Sequence, residues 1–262
     1  MTTTTAPVGG TPTRRILRAG LALLALLLAI AAVVLLALGP LGWRAGWWHY
    51  RVGFQQLMPW AAYCGLAAVG IAVLALLVGG RRNTASNIAV GAIAFLVGAI
   101  IAYIPWSYDQ MRGKYPSIND ITTDWQNPPQ FQAVVPLRAA EGGNPATYGG
   151  DKTSEQQRRA YPDIAPLTLA LDPPAAFARA QDAARKLGWT IVASDAGAGR
   201  IEASERSRWF GFTDDVVIRI APEGGGSRID VRSASRWGRG DFGVNAARVR
   251  TYLAALPDAA GK

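Results

Sequence analysis

Three long apolar runs dominate the first 108 positions of this 262-residue chain, and short alternating patterns replace them afterwards. The runs extend from Ala19 to Trp43, from Val52 to Gly80 and from Asn83 to Tyr108, none with a formally charged residue. Each exceeds the roughly 20 residues needed to cross about 30 Å of hydrocarbon. The first contains LALLALLLAIAAVVLLAL, which lacks the polar stripe of a soluble amphipathic helix. Thr13-Arg14-Arg15 before it resembles a twin-arginine export signal, but the length of the run and the two further spans favour a retained anchor. Ala94, Gly98 and Ala102 form a small-residue ridge on the third run, a spacing that lets helices approach closely. Cys64 and His49 read as a small apolar packer and an interfacial side chain.

Past the third run, turn formers crowd the chain at Pro116, Asn127-Pro128-Pro129, Gly142-Gly143-Asn144-Pro145, Gly149-Gly150 and Pro162. This predicts an irregular segment lying over a domain surface. The compact core is expected to begin near Ile164. Leu167, Leu169 and Leu171 alternate as in a strand over 166–171. Asp172 with Pro173 opens a helix that carries Phe177, Ala180, Ala184 and Leu187 on one face and ends at Gly188. Strands follow over 189–194, 200–210, 215–221 and 228–237, with Gly197-Ala198-Gly199 and Gly224-Gly225-Gly226 as turns. Asn245 is expected to cap a last helix that buries Val249, Leu253 and Leu256 and stops at Pro257. The predicted architecture is three N-terminal transmembrane α-helices plus an α+β soluble domain, with a mainly antiparallel sheet and two packing helices. Its parts are a cytoplasmic tail (1–15), a three-helix anchor (16–106), an irregular linker (107–163), the α+β domain (164–257) and a short tail (258–262).

Charge sharpens this division. The first 106 residues hold seven arginines and no acid, while all 18 Asp and Glu follow. A carboxylate at mid-bilayer costs roughly 2.5–3.5 kcal/mol even on the lenient insertion scale. The formal net charge of +9 therefore sits largely beside the apolar runs, and the remaining bases nearly balance the acids. A nucleic-acid-binding domain would concentrate that excess on its folded module, so nucleic acid is not an expected partner. Arg14, Arg15 and Arg18 before the first run and Arg81-Arg82 between the second and third place those ends in the cytoplasm by the positive-inside rule. Trp43, Trp47, Trp48, Tyr50, Trp60, Tyr103, Trp106 and Tyr108 then gather at the opposite interface. The expected address is the inner (plasma) membrane of a bacterial cell, multi-pass, with the C-terminal domain periplasmic or extracytoplasmic.

The water-facing part contains neither His nor Cys. That removes Ser-His-Asp and Cys-His catalysis and ordinary zinc sites within it. No catalytic residue, metal ligand or cofactor is assigned. Alternation along the last strands puts Ile229, Val231, Ile218 and Ile220 on one face, and Asp230, Arg232, Arg236, Asp215 and Arg219 on the other. Glu202, Arg206 and Arg208 share a face of the strand before. Such a face serves either as a solvated sheet of cross-strand ion pairs or as a surface that recognises carboxylate or phosphate through Arg forks. The loop Trp237-Gly238-Arg239-Gly240-Asp241-Phe242-Gly243-Val244-Asn245 is either a cradle for an anion or a tight structural turn. Candidate ligand-binding residues are Arg206, Arg219, Arg232, Arg236, Asp214, Asp215, Asp230, Asp241 and Asn245.

Phe212-Thr213-Asp214-Asp215-Val216, the run Asp230 to Arg236, and Gly238, Asp241, Gly243, Asn245 and Arg248 together resemble the signature of the domain-of-unknown-function 1499 family. Asn119 to Asp124, Pro128-Pro129-Gln130-Phe131 and Tyr161-Pro162-Asp163-Ile164 fit the same resemblance, which covers roughly 117–256. It implies an architecture and an envelope setting but no mechanism. Some relatives have an Asn-Cys-Val-Ser-type start where this chain has Asn119-Asp120-Ile121-Thr122, so a role for that cysteine does not transfer.

These observations point to a membrane-anchored binding or accessory module. Its partners would be the bilayer, through three spans, and an anionic lipid, an envelope polymer or a protein. The alternative is a carboxylate-dependent hydrolase or transferase of the cell envelope using Asp120/Asp124 or Asp214/Asp215. The orientation is directly testable. A reporter active only outside the cytoplasm, fused to the C-terminus, should be active, and a cytosol-only reporter at the same position should stay silent.

Overall fold

A computed structural model describes residues 12–79 and 84–256 of the chain. The expectations for Arg81-Arg82, Pro257 and the extreme tails fall outside these residues. The chain divides between Gln110 and Met111 into two compact units.

The first unit holds three helices long and apolar enough to cross a membrane, at Ile16–Arg44, Tyr50–Val78 and Ala85–Arg112. The first lies within α1 (Pro12–Arg44). The second starts as α2 (Tyr50–Val52), passes through a π-helical turn at Gly53–Leu57 and continues as α3 (Met58–Gly79). The third is α4 (Ala85–Arg112), which runs beyond the Tyr108 expected as its end. Its buried residues Gly91, Ala94, Gly98 and Ile101 recur at three- and four-residue spacing, one face of a helix. Ala25, Ala29, Ala68, Ala72 and Ala94 form one buried cluster, so small side chains set the contact between helices. Gly65 and Gly98 let two of the helices come backbone to backbone. A Cβ on either would lie 2.6 Å from the other's carbonyl oxygen. At one end of the bundle, ring contacts link Trp43 to Tyr50, Tyr50 to Phe54 and Phe54 to Tyr108.

The second unit is built on one antiparallel sheet in the order β1-β6-β5-β4-β3, with β2 also paired to β6. Its strands are β1 (Asp120–Thr122), β2 (Leu167–Leu169), β3 (Thr190–Asp195), β4 (Arg200–Arg206), β5 (Thr213–Glu223) and β6 (Gly226–Ser235). Gly224 and Gly225 both take positive φ, 56° and 83°, which a two-residue turn between twisted strands requires. Strand β4 ends at Arg206, short of the Phe210 expected, and Arg208 stands in the following loop.

One sheet face packs against α7 (Pro173–Lys186) and α8 (Val244–Ala254), the two helices expected. Asp172 caps α7 by accepting the Ala175 N–H at 2.9 Å. Phe177, Ala180 and Ala184 meet Ile201, Val216, Ile218, Ile229 and Val231 in the main core, together with Val249, Tyr252 and Leu256.

The segment 107–163, expected to be irregular, contains β1 and two further helices, α5 (Val135–Glu141) and α6 (Gly150–Ala160). Pro136 at the start of α5 and left-handed Gly142 after it are ordinary helix punctuation. Part of this segment covers the second sheet face, where Phe131 and Val134 pack on Val217 and Ala234. Gln157 of α6 treats β1 as a neighbouring strand would. Its side-chain amide donates to the Thr122 carbonyl at 2.6 Å and accepts the Thr122 N–H at 3.0 Å.

The glycine contact in the first unit can be tested. Gly98→Leu must push backbone away from backbone and should destabilise the purified full-length protein by about 1–3 kcal/mol. Gly70→Leu, where nothing lies within 4 Å of an added Cβ, should leave the thermal midpoint in detergent unchanged.

Candidate functional site

Strand pleat and register bring the predicted charged residues together. Arg219 pairs across the sheet with Asp230, Val217 with Arg232 and Asp215 with Ala234. On the next strand pair Glu202 faces Val217 and Ser204 faces Asp215. Much of the face is covered by other parts of the chain. Arg232, Asp215 and Glu202 are fully buried and Asp230 and Arg236 nearly so, because the chain from 123 to 149 contributes partners from above. The cross-strand ion pairs expected are present, as between Arg219 and Asp230, but the cover corrects the expectation that they lie on a solvated face.

Each buried charge is satisfied internally. Asp215 accepts from Arg138 at 2.8 Å, from Arg236 at 2.8 and 2.9 Å and from the Ser204 hydroxyl at 2.6 Å. The hydrogen bond to Asp215 is the main cause that raises the Arg236 pKa above the ordinary arginine value. Arg138 spends its other donors on the carbonyls of Asn144, Ala234 and Ser235. Arg232 forks onto Asp120 at 2.9 and 2.7 Å and donates to the carbonyls of Pro129 and Ala146. Its guanidinium lies between the rings of Phe131 and Tyr148, 4.8 and 5.3 Å from their centroids. Burial, reinforced by the Asp120 charge, pushes the Tyr148 hydroxyl up to about 12. Arg219 and Arg228 converge on Asp230 and Asp124. Glu202 accepts the backbone N–H groups of Gln132, Ala133 and Val134, the turn that leads into α5.

The remaining candidates separate from this cluster. Asp214 points to the opposite face and pairs with Arg248 of α8 at 2.7 Å. Asp214 and Asp215 therefore cannot act as one dyad, as strand alternation anticipates. Asp120 and Asp124 are likewise held by arginines. Asn245 does not cap α8. It occupies the second helical position, and its buried amide bridges Ser233, Ser235 and the Asn119 carbonyl. Gly243 holds the cap position, and the Asp241 carboxylate, two residues before it, accepts the N–H groups of Gly243 at 2.9 Å and Asn245 at 2.6 Å. Burial raises the Asp241 pKa, and those two N–H bonds oppose the shift. The helix start considered as an anion cradle is thus filled by the chain's own carboxylate. Arg206 is exposed and donates to the Gly211 carbonyl at 2.9 Å.

An open cleft of about 610 Å³ lies beside the network, and its lining includes Asn119, Asn144, Lys152, Thr153, Gly238 and Arg239. Arg138 and Asp120 also contribute to its wall. The amides of Asn119 and Asn144 both donate to the Gly238 carbonyl at 2.8 Å and hold the glycine loop against the wall. Among the described residues, the side chains of Lys152 and Arg239 take no ion-pair partner.

The sequence pattern of a family described as "Protein of unknown function (DUF1499)" matches residues 120–256, from the first residue of β1 to the end of the α8 region. The chain belongs to this family. No curated protein and no solved structure matches it. The DUF1499 match includes α5 and α6 as well as the sheet, so the cover over the charged face lies within the family's domain. Sequence reasoning missed Arg138 and Lys152 as chemistry-bearing positions, and it named Arg239 only as part of the glycine loop. The Pro136–Gly142 punctuation could have placed Arg138 on a short helix.

The Asp215 network yields a quantitative expectation. Removing one charge of a buried pair leaves the other uncompensated, so Asp215→Asn should destabilise the DUF1499 domain by about 3–5 kcal/mol. Asp182→Asn, which breaks the exposed pair with Lys186, should cost below about 1 kcal/mol. Thermal unfolding of the full chain in detergent compares the two.

Proposed function

We propose that this protein is a membrane-anchored, non-catalytic binding module whose extracytoplasmic domain holds an anionic group in the cleft between Lys152 and Arg239. The observation that carries this reading is the contrast in how cations are used. The sheet-face arginines Arg219, Arg232 and Arg236 are committed to internal carboxylates, whereas Lys152 and Arg239, without an ion-pair partner among the described residues, both line one open cleft. A guanidinium fork and an ammonium on the lining of one cleft suit a phosphate or carboxylate. Thr153 and Gln156 belong to the same lining, the Gln156 amide donating to the Lys152 carbonyl at 3.2 Å. The carboxylates that a hydrolase would need serve instead as counter-ions to arginine, which favours binding over catalysis. The three apolar helices support the anchor. The arginine flanks and the aromatic cluster support an extracytoplasmic domain in the cell envelope.

Titration of the purified full-length protein with inorganic phosphate, followed by heat release, tests the cleft. Saturable binding is expected, and Lys152→Ala combined with Arg239→Ala should weaken it by roughly tenfold or more. Equal binding by the double variant, or none by the parent, rejects the cleft as the site.

A further inference from the structure

The end of the sheet at which the chain enters the domain differs chemically from the opposite end. Asn119 accepts the Ser235 N–H at 2.9 Å, and Asp120 lies opposite Ala234, so the incoming segment meets the last residues of β6. Ser235 pairs with Asp214 and Arg206 pairs with Thr213, which puts the loop between β4 and β5 at this same end. That loop reads Arg206-Ser207-Arg208-Trp209-Phe210-Gly211-Phe212 and contains no acid. Arg206, Ser207 and Arg208 are exposed, and Trp209 is 38% exposed. Phe210 is buried and stacks on Phe212 with centroids 5.1 Å apart, giving Trp209 a firm base. Ser207 N–H to the Phe212 carbonyl and Arg206 Nε to the Gly211 carbonyl close the loop. Among the described residues, Arg206 has no carboxylate partner, so its positive charge is not neutralised by an acid. Two more large apolar side chains stand exposed at this end, Tyr115 and Val244. The turns at the far end, Ala196 to Gly199 and Gly224-Gly225, offer only alanine and glycine.

We infer that the loop 206–212 is a lipid-surface contact, with Trp209 entering the headgroup zone and Arg206 and Arg208 meeting lipid phosphates. Indole rings favour the interface between hydrocarbon and water, and arginine beside them is attracted to anionic headgroups. A domain carried on helices that cross a bilayer meets that surface at high effective concentration, so a small patch suffices. The inference rests on the anchor and on this loop, and it is independent of the cleft.

The test uses the full chain in vesicles of phosphatidylcholine and phosphatidylglycerol. With Cys64→Ala as background, Ser207→Cys carries an environment-sensitive fluorophore, and Ala196→Cys at the far end is the reference. The loop keeps its two backbone-directed closures without the Ser207 hydroxyl. Lipids spin-labelled near the headgroup should quench the fluorophore at position 207 several-fold more than at 196. Adding Arg208→Glu with Trp209→Ser should remove more than half of that quenching. Equal quenching at the two positions, as a protein-covered or water-exposed loop would give, overturns the inference. So does quenching at 207 that the double substitution leaves unchanged.

Discussion

Asp215 sits at zero exposure on the central strand β5 of the sheet, and two guanidinium groups, from Arg138 and Arg236, close on it. Taking such charges out of water costs several kcal/mol per ion, and only complete pairing offsets it. Here the pairing is supplied from distant parts of the chain. Arg138 comes from α5, and Arg236 also reaches Glu141 at the end of the same helix. The cover and the sheet are consequently one folding problem. Without α5 the sheet face would present buried-type charges with half their partners, and without the sheet α5 would have no reason to form, being seven residues long.

The apolar elements were legible because periodicity reports burial directly. The three spans, α7 with its Asp172 cap, and the strands carrying Ile218, Ile220, Ile229 and Val231 follow from residue spacing alone. What spacing does not report is whether a polar face meets water or meets other polar groups. Arg219, Arg232 and Asp230 alternate as a solvated strand would, and only the long-range contacts from Asp120, Asp124 and Pro129 turn them inward. The same limit applies to 107–163, where turn formers mark real turns but conceal the two helices between them. Asn245 is a related case. Its residue type suits a cap, yet the helix has already begun at Val244, and Asp241, four positions earlier, accepts the N–H of Asn245 itself.

Arginine in this domain therefore does two kinds of work. Arg138, Arg219, Arg228, Arg232, Arg236 and Arg248 act as internal rivets, each bound to carboxylates or to a row of carbonyls, a use for which the planar donor set is suited. Family membership spans this arrangement from β1 onward, so the signature residues Asp214, Asp215, Asp230, Arg232 and Arg236 are accounted for largely by architecture. A smaller set, Lys152, Arg239 and Arg206, lies at the periphery with charge left over. It is there that contacts with other molecules are proposed.

The Gln157 side chain bears on assembly. By engaging both backbone groups of Thr122 it occupies the positions through which an added strand would bond. Along that stretch the sheet is closed to extension by a second copy or by an extended peptide. Edge-to-edge polymerisation is thereby hindered on the β1 side of the sheet, whereas β3 (Thr190–Asp195) forms its other outer strand.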